Sequence, residues 1–330
     1  MSAPISHPTR RTSAAAGVLS LWAALWLTGC ATPQMSQLQQ DFPVTASASS
    51  LPVRAALDGV PFVPQDDYQC GPAALAMLAQ HAGLVVRPDA FTAQVYVPGR
   101  QGAFNVEMLA ATRRQALVAY PLRPRVEAVL REVAGGNPVL VFQNLSLSLY
   151  PVWHYAVVIG FDRERNTVTL HSGVTERLQM SLFTFERTWA RGGNWAMVAL
   201  PPDRLPATAQ PDSFMVAAAA LERVQVAAAE VAYATALQAW PGQRAALLGL
   251  GNTAYALGRK DEAAQRFASA TREHADFADA WNNLAQVRLE QGRLKEAADA
   301  IAQAVLIGGV RAESYRRLQA KVELQRQAGP

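Results

Sequence analysis

Apolar and polar positions follow two different rhythms along this chain. From about residue 213 onward the sequence is Ala-rich, and its apolar residues recur at helical spacing. Residues 52–200 mix helical stretches with short continuous apolar runs. The stretch 71–82 has helix spacing, with Leu75, Met77, Leu78 and Ala79 available to one buried side. His154 opens the run HYAVVIGFD, whose near-continuous apolar character predicts a central strand. Further strands are expected at 166–170 and, shorter, at Val60–Val63. Residues 31–51 are rich in Ser, Gln, Thr and Ala and follow neither rhythm, so 30–51 reads as a tether. Residues 201–212, PPDRLPATAQPD, place four prolines in twelve positions and read as a linker. The expected fold class is an α+β domain over 52–200 followed by an all-α domain over 213–330.

The helical half repeats itself. At an offset of 34 residues Leu247 meets Trp281, Leu250 meets Leu284, Gly258 meets Gly292, Ala263 meets Ala297, Phe267 meets Ile301 and Ala270 meets Ala304. Small residues at such positions let two helices cross closely, and the glycine supplies the turn between them. The pattern resembles the tetratricopeptide repeat, with units at 244–277 and 278–311. A degenerate unit at 213–243 keeps Ala229, Tyr233, Ala236 and Pro241, and a capping helix is expected near 312–327. The resemblance implies a protein or peptide partner in the groove of the stack.

Composition narrows the possibilities. With 330 residues, 50% hydrophobic and 17% charged, the chain has material for about two cored domains and is no disordered scaffold. A net charge of +4 without a concentrated basic stripe argues against a nucleic-acid partner. Two cysteines exclude a disulfide framework or a Cys-cluster zinc site. No phosphate loop, dinucleotide fingerprint or His-Glu-x-x-His occurs, so no cofactor and no metal is expected.

The N-terminus has the layout of a targeting segment: Arg10 and Arg11, an apolar run from Ala14 to Leu27, then Leu27-Thr28-Gly29-Cys30. The run is too short for a comfortable membrane span. Its ending resembles the bacterial lipobox. That resemblance implies removal of residues 1–29, lipidation of Cys30 with palmitate among the acyl groups, and anchoring to the membrane. Residue 31 is Ala rather than Asp, which by the same resemblance favours the outer membrane, facing the periplasm. Cys70 is then the one cysteine left unmodified.

Cys70 precedes Gly71-Pro72 at the start of the predicted helix, where the positive end of the helix dipole favours a thiolate. A nucleophilic thiol also needs a base. His81 is eleven residues along the same helix, roughly 16 Å away at 1.5 Å per residue, and too far. His154, at the head of the central strand, and His171 remain. Gln65, then CGPAAL from Cys70, then HYAVVIGFD from His154 resemble the papain-like peptidases. They come closest to the bacteriocin-processing, double-glycine-leader peptidases of family C-39, over residues 52–200. The resemblance implies Cys70 as nucleophile, His154 as proton relay and Gln65 as part of the oxyanion hole. The family's orienting aspartate is replaced: Ser172 stands at its position with His171 beside it, and Asp162 lies at the far end of the histidine strand. Asn105, Gln143 and Asn144 are further polar residues near element ends. Trp153, Trp189 and Trp195 suit core or cleft wall. The expected function is a membrane-anchored cysteine peptidase acting on a protein or peptide through an acyl-enzyme. The alternative is a catalytically weak or inactive papain-like binding protein serving as an envelope scaffold.

Overall fold

The structure, a computed structural model, describes residues 32–44, 50–65, 69–100 and 102–328. Cys30 and the segment before it lie outside the described residues. In chain order the first part contains α1 (Pro33–Asp41), β1 (Arg54–Ala56), α2 (Cys70–His81), α3 (Asp89–Val95), β2 (Tyr96–Val97), β3 (Gly102–Ala103), α4 (Asn105–Arg114) and β4 (Val118–Pro121). It continues through α5 (Val126–Ala134), β5 (Val139–Asn144), β6 (Trp153–Asp162), β7 (Thr167–Ser172), β8 (Thr175–Ser181), α6 (Leu182–Arg191) and β9 (Ala196–Leu200). The second part is helical: α7 (Pro211–Glu222), α8 (Val226–Ala239), α9 (Arg244–Ala256), α10 (Lys260–Glu273), α11 (Ala278–Glu290), α12 (Leu294–Ile307) and α13 (Ala312–Ala328). A sheet-bearing α+β domain followed by an all-α repeat region is the architecture that the two rhythms imply.

Among the described residues the main sheet runs β4-β9-β5-β6-β7-β8, all pairs antiparallel, with β1 added along β6. Alternation along each strand splits the core in two. Leu140, Tyr155, Val157, Ile159 and Met197 face α2, α3 and α4. Val139, Val141, Val158, Leu170 and Val198 face the other way, toward α1, α5, α6 and the first repeat helices. Gly192 ends α6 where a Cβ would stand 2.1 Å from the Phe142 carbonyl oxygen, so only glycine lets that helix lie against β5.

Three local expectations need correction. Val60–Val63 forms no strand; Val60 is buried, and its carbonyl serves His171 instead of a ladder. The third strand of the histidine region is Thr167–Ser172, so Ser172 closes it rather than following it. Within the expected tether, residues 33–41 form α1, with Met35 and Leu38 in the core. One apolar pair three residues apart is too little to show as a period. The helix is completed from far away: the Glu186 carboxylate accepts the N–H groups of Gln34 and Met35 at 3.0 and 2.9 Å.

The proline segment is fastened too. Buried Glu132 on α5 accepts Ala207 N–H, Thr208 N–H and the Thr208 hydroxyl at 3.0, 2.8 and 2.6 Å. Phe214, Met215, Leu221 and Tyr233 then share one core with Val118, Tyr120 and Leu200 of the sheet. The first repeat unit is thus built onto the back of the sheet. A third core holds the later repeats, from Ala254 to Val322. There α9–α10 and α11–α12 turn at Gly258 and Gly292, whose φ of +77° and +72° require glycine.

Candidate active site

The catalytic candidates meet at one end of the sheet. Strand pairing sets Gln143 opposite His154, Val157 opposite His171 and Leu140 opposite Met197. The C-terminal ends of β5 and β7 and the N-terminal end of β6 therefore lie together. His154 Nε2 is 2.9 Å from Ser172 Oγ. Gln65 is held beside that pair, because its N–H donates to the Gly173 carbonyl at 3.3 Å.

Cys70 is the first residue of α2, and the buried run Gly71–Ala79 fixes that helix against the sheet. The backbone N–H groups of Tyr155, Gly71 and Cys70 itself favour the charged form of the thiol. The influence of Tyr155 N–H relates the thiol to the peptide that follows His154. The opposing influences are unequal. Burial pushes the Cys70 thiol above its ordinary value of 9.0, and the three N–H groups only partly offset it. Burial also holds the His154 imidazole at about 4, down from 6.5. The resting site is a neutral thiol beside a neutral imidazole. The thiolate expected from the helix dipole alone is outweighed by desolvation.

Gln65 Nε2 is buried and has no hydrogen-bond partner. Leaving such a donor unmade costs about 1–3 kcal/mol, so it needs a reason. A donor held empty in a site is what an oxyanion requires.

The other candidates have structural occupations. His171 is buried, its Nδ1 accepting from Arg177 N–H at 3.3 Å and its Nε2 lying 3.2 Å from the Val60 carbonyl. Its ring also packs on Phe62 at 5.2 Å. With both nitrogens engaged there, it is not the partner of His154. Asp162 turns away at the far end of β6 and accepts Arg165 N–H. His81 contacts the Gly136 carbonyl, and His274 that of Gly242 in the repeats. Gln143 donates to Thr188 at 2.7 Å, and Asn144 accepts Ser146 and Val152 N–H groups at 3.0 Å each. Asn105 accepts the Tyr155 hydroxyl at 2.7 Å. Trp189 is core, Trp195 packs edge-on to Tyr155, and half-exposed Trp153 stacks on Phe142. Tyr155 itself was not legible as a site residue. Its contribution is a backbone N–H, which any side chain would supply.

Comparison with known proteins agrees with this division. Residues 57–197 match the Peptidase C39 like family, and residues 214–265 and 248–314 match the tetratricopeptide repeat. Among solved structures the chain is similar to a C39-like peptidase from Bacillus anthracis, at 18% identity and a TM-score of 0.40, over 44% of this chain and 97% of that one. It is similar to the peptidase domain of Streptococcus ComA, a bifunctional ABC transporter of a quorum-sensing pathway, at 19% identity and a TM-score of 0.35, over 43% and 98%. Its helical part is similar to the Sgt2 repeat domain from Aspergillus fumigatus, at 22% identity and a TM-score of 0.33, over 36% and 81%. No curated protein matches the chain.

Proposed function

We propose that this chain, a Peptidase C39-like domain at 57–197 carrying tetratricopeptide repeats at 214–314, is a lipid-anchored cysteine peptidase of a bacterial envelope. The observation that carries the catalytic reading is the buried, unpartnered Gln65 amide beside the His154–Ser172 pair. Ser172 occupies Nε2 of the imidazole, which leaves Nδ1 to exchange a proton with Cys70. Because the resting pair is neutral, attack and proton transfer are coupled. The thiol proton passes to His154 as Sγ bonds to the substrate carbonyl carbon, and the oxyanion takes the Gln65 N–H and the N–H groups at the start of α2. His154 then protonates the leaving amine, and water releases the acyl group by the reverse relay. The serine hydroxyl orients the ring but brings no charge, so the imidazolium formed in the transition state is less stabilised than beside a carboxylate. Cys30 supplies the lipid, the outer membrane is the proposed location, and the repeats hold a protein substrate or partner.

The test is a peptide-mixture digest by the purified chain, read by mass spectrometry, together with labelling by an epoxysuccinyl peptide. New cleavages and a Cys70 adduct, both lost in Cys70→Ala and His154→Ala, support the peptidase. Unlabelled Cys70 in a folded protein, with no cleavages, leaves the chain a binding scaffold.

A further inference from the structure

The end of the sheet that holds the active site also carries an unusual hairpin tip. The β5–β6 connection with the first residue of β6 reads LSLSLYPVW from Leu145 to Trp153, and no Asp, Glu, Lys or Arg occurs from Asn144 to Phe161. Leu147, Leu149 and Tyr150 are 70%, 79% and 73% exposed, and Val152 and Trp153 are half exposed. Such exposure marks a projecting tip rather than the wall of a groove. Part of its backbone is bonded internally: Leu145 N–H to the Val152 carbonyl at 2.9 Å, Tyr150 N–H to the Leu147 carbonyl at 3.1 Å, and the Ser146 and Val152 N–H groups to Asn144 Oδ1. These bonds leave less of the loop's backbone for water to satisfy when its exposed side chains meet a lipid interface.

The start of the described chain lies at this same end. Gln34, on the first turn of α1, donates to the Pro124 carbonyl at 3.2 Å and accepts Val126 N–H at 2.7 Å, just past the C-terminal end of β4. Leu122 N–H bonds the Ala196 carbonyl, and Ala196 pairs with Val141 near the end of β5. The other end of α1 lies at the opposite pole, where Gln39 reaches Asn166 ahead of β7. Cys30 is three residue steps before Pro33 in sequence, a reach of at most about 10 Å.

We infer that the hairpin Leu145–Trp153 is a membrane-contacting element, so that the peptidase domain sits with its catalytic end against the lipid surface rather than hanging from a flexible tether. The inference rests on the reading of Cys30 as the lipid anchor. The occupant is a lipid interface: leucines at the tip, with Tyr150 and Trp153 behind them, match the side chains that favour the boundary between acyl chains and headgroups. The substrates reached from this pose are protein segments close to the bilayer.

The experiment uses the full lipidated chain in vesicles of phosphatidylethanolamine and phosphatidylglycerol. In a Cys70→Ser background, Leu149→Cys carries an environment-sensitive fluorophore. Val85→Cys, fully exposed beyond the C-terminal end of α2, is the comparison. The expected result is a blue shift and quenching by nitroxide lipid at position 149 and none at position 85. Vesicle-bound protein with both positions equally in water overturns the hairpin contact while leaving the anchor in place. Protein that fails to float with vesicles overturns the anchor reading and this inference with it. A label at 149 that responds to an apolar peptide but not to lipid makes the tip a substrate subsite and also overturns it.

Discussion

At the residue scale the site is governed by burial. Alkylation of Cys70 should rise with pH with a midpoint above the ordinary thiol value near 9.0. Ser172→Asp places a carboxylate where the hydroxyl now meets His154, and an opposite charge at that range raises a histidine pKa by about 1–3. Alkylation of the aspartate variant at pH 7 should therefore be faster by about tenfold or more, and an unchanged rate would mean that Ser172 is not the orienting partner. His154 also makes stability pH-dependent. Its imidazole titrates near 4 in the folded chain and near 6.5 when unfolded, so between these values the unfolded state binds the extra proton. Stability should fall as pH drops from about 6.5 toward 4, with buried His171 acting in the same direction. Urea midpoints measured across that window should decline less steeply in His154→Gln. Gln65 offers a test without substrate. Gln65→Leu should leave the melting temperature unchanged or higher, because the amide Nε2 makes no bond, whereas Gln143→Leu breaks the bond to Thr188 and should cost about 1–3 kcal/mol. Cys70, His154 and Gln65 were legible as candidates because each falls in a recognisable run. Sequence left Ser172 and His171 level, since both end the same strand; only the hydrogen bonds of each ring and hydroxyl separate them.

At the scale of elements, regular periods were legible and long-range fastenings were not. The apolar run of β6 and the small-residue spacing of the repeats announce themselves within a few residues of sequence. The helix α1 and the proline segment depend on single carboxylates, Glu186 and Glu132, supplied from elsewhere in the chain. Glu132 lies within the helix 126–134 beside Val129, Leu130 and Val133, an acid at a buried position that asks for a partner. Replacing it with alanine leaves the N–H groups of Ala207 and Thr208 unpaired. Glu132→Ala should destabilise the chain by about 2–4 kcal/mol and speed hydrogen exchange at 207 and 208. Glu132→Gln should retain part of the stability, since an amide oxygen still accepts.

At the scale of the molecule the repeats are not an appendage. Phe214, Met215, Leu221 and Tyr233 complete the core behind the sheet, each burial worth about 1.5–3 kcal/mol. Their sum rivals the whole stability of a typical domain, about 5–15 kcal/mol. A chain ending at residue 212 should therefore lose its cooperative thermal transition and near-ultraviolet dichroism, whereas one ending after α9 should keep both. Domain swapping by cutting in the proline segment would separate one core into two exposed halves. The capping of α1 by Glu186 bears on the order of events as well. A nine-residue helix is too short to persist alone in water, and the carboxylate that completes this one lies 152 positions beyond Gln34. During synthesis from the N-terminus, α1 should stay unformed until α6 has been made and has packed on the sheet. The first of the described helices thus depends on a residue made much later, and any stall before residue 186 leaves residues 33–41 without their native seat.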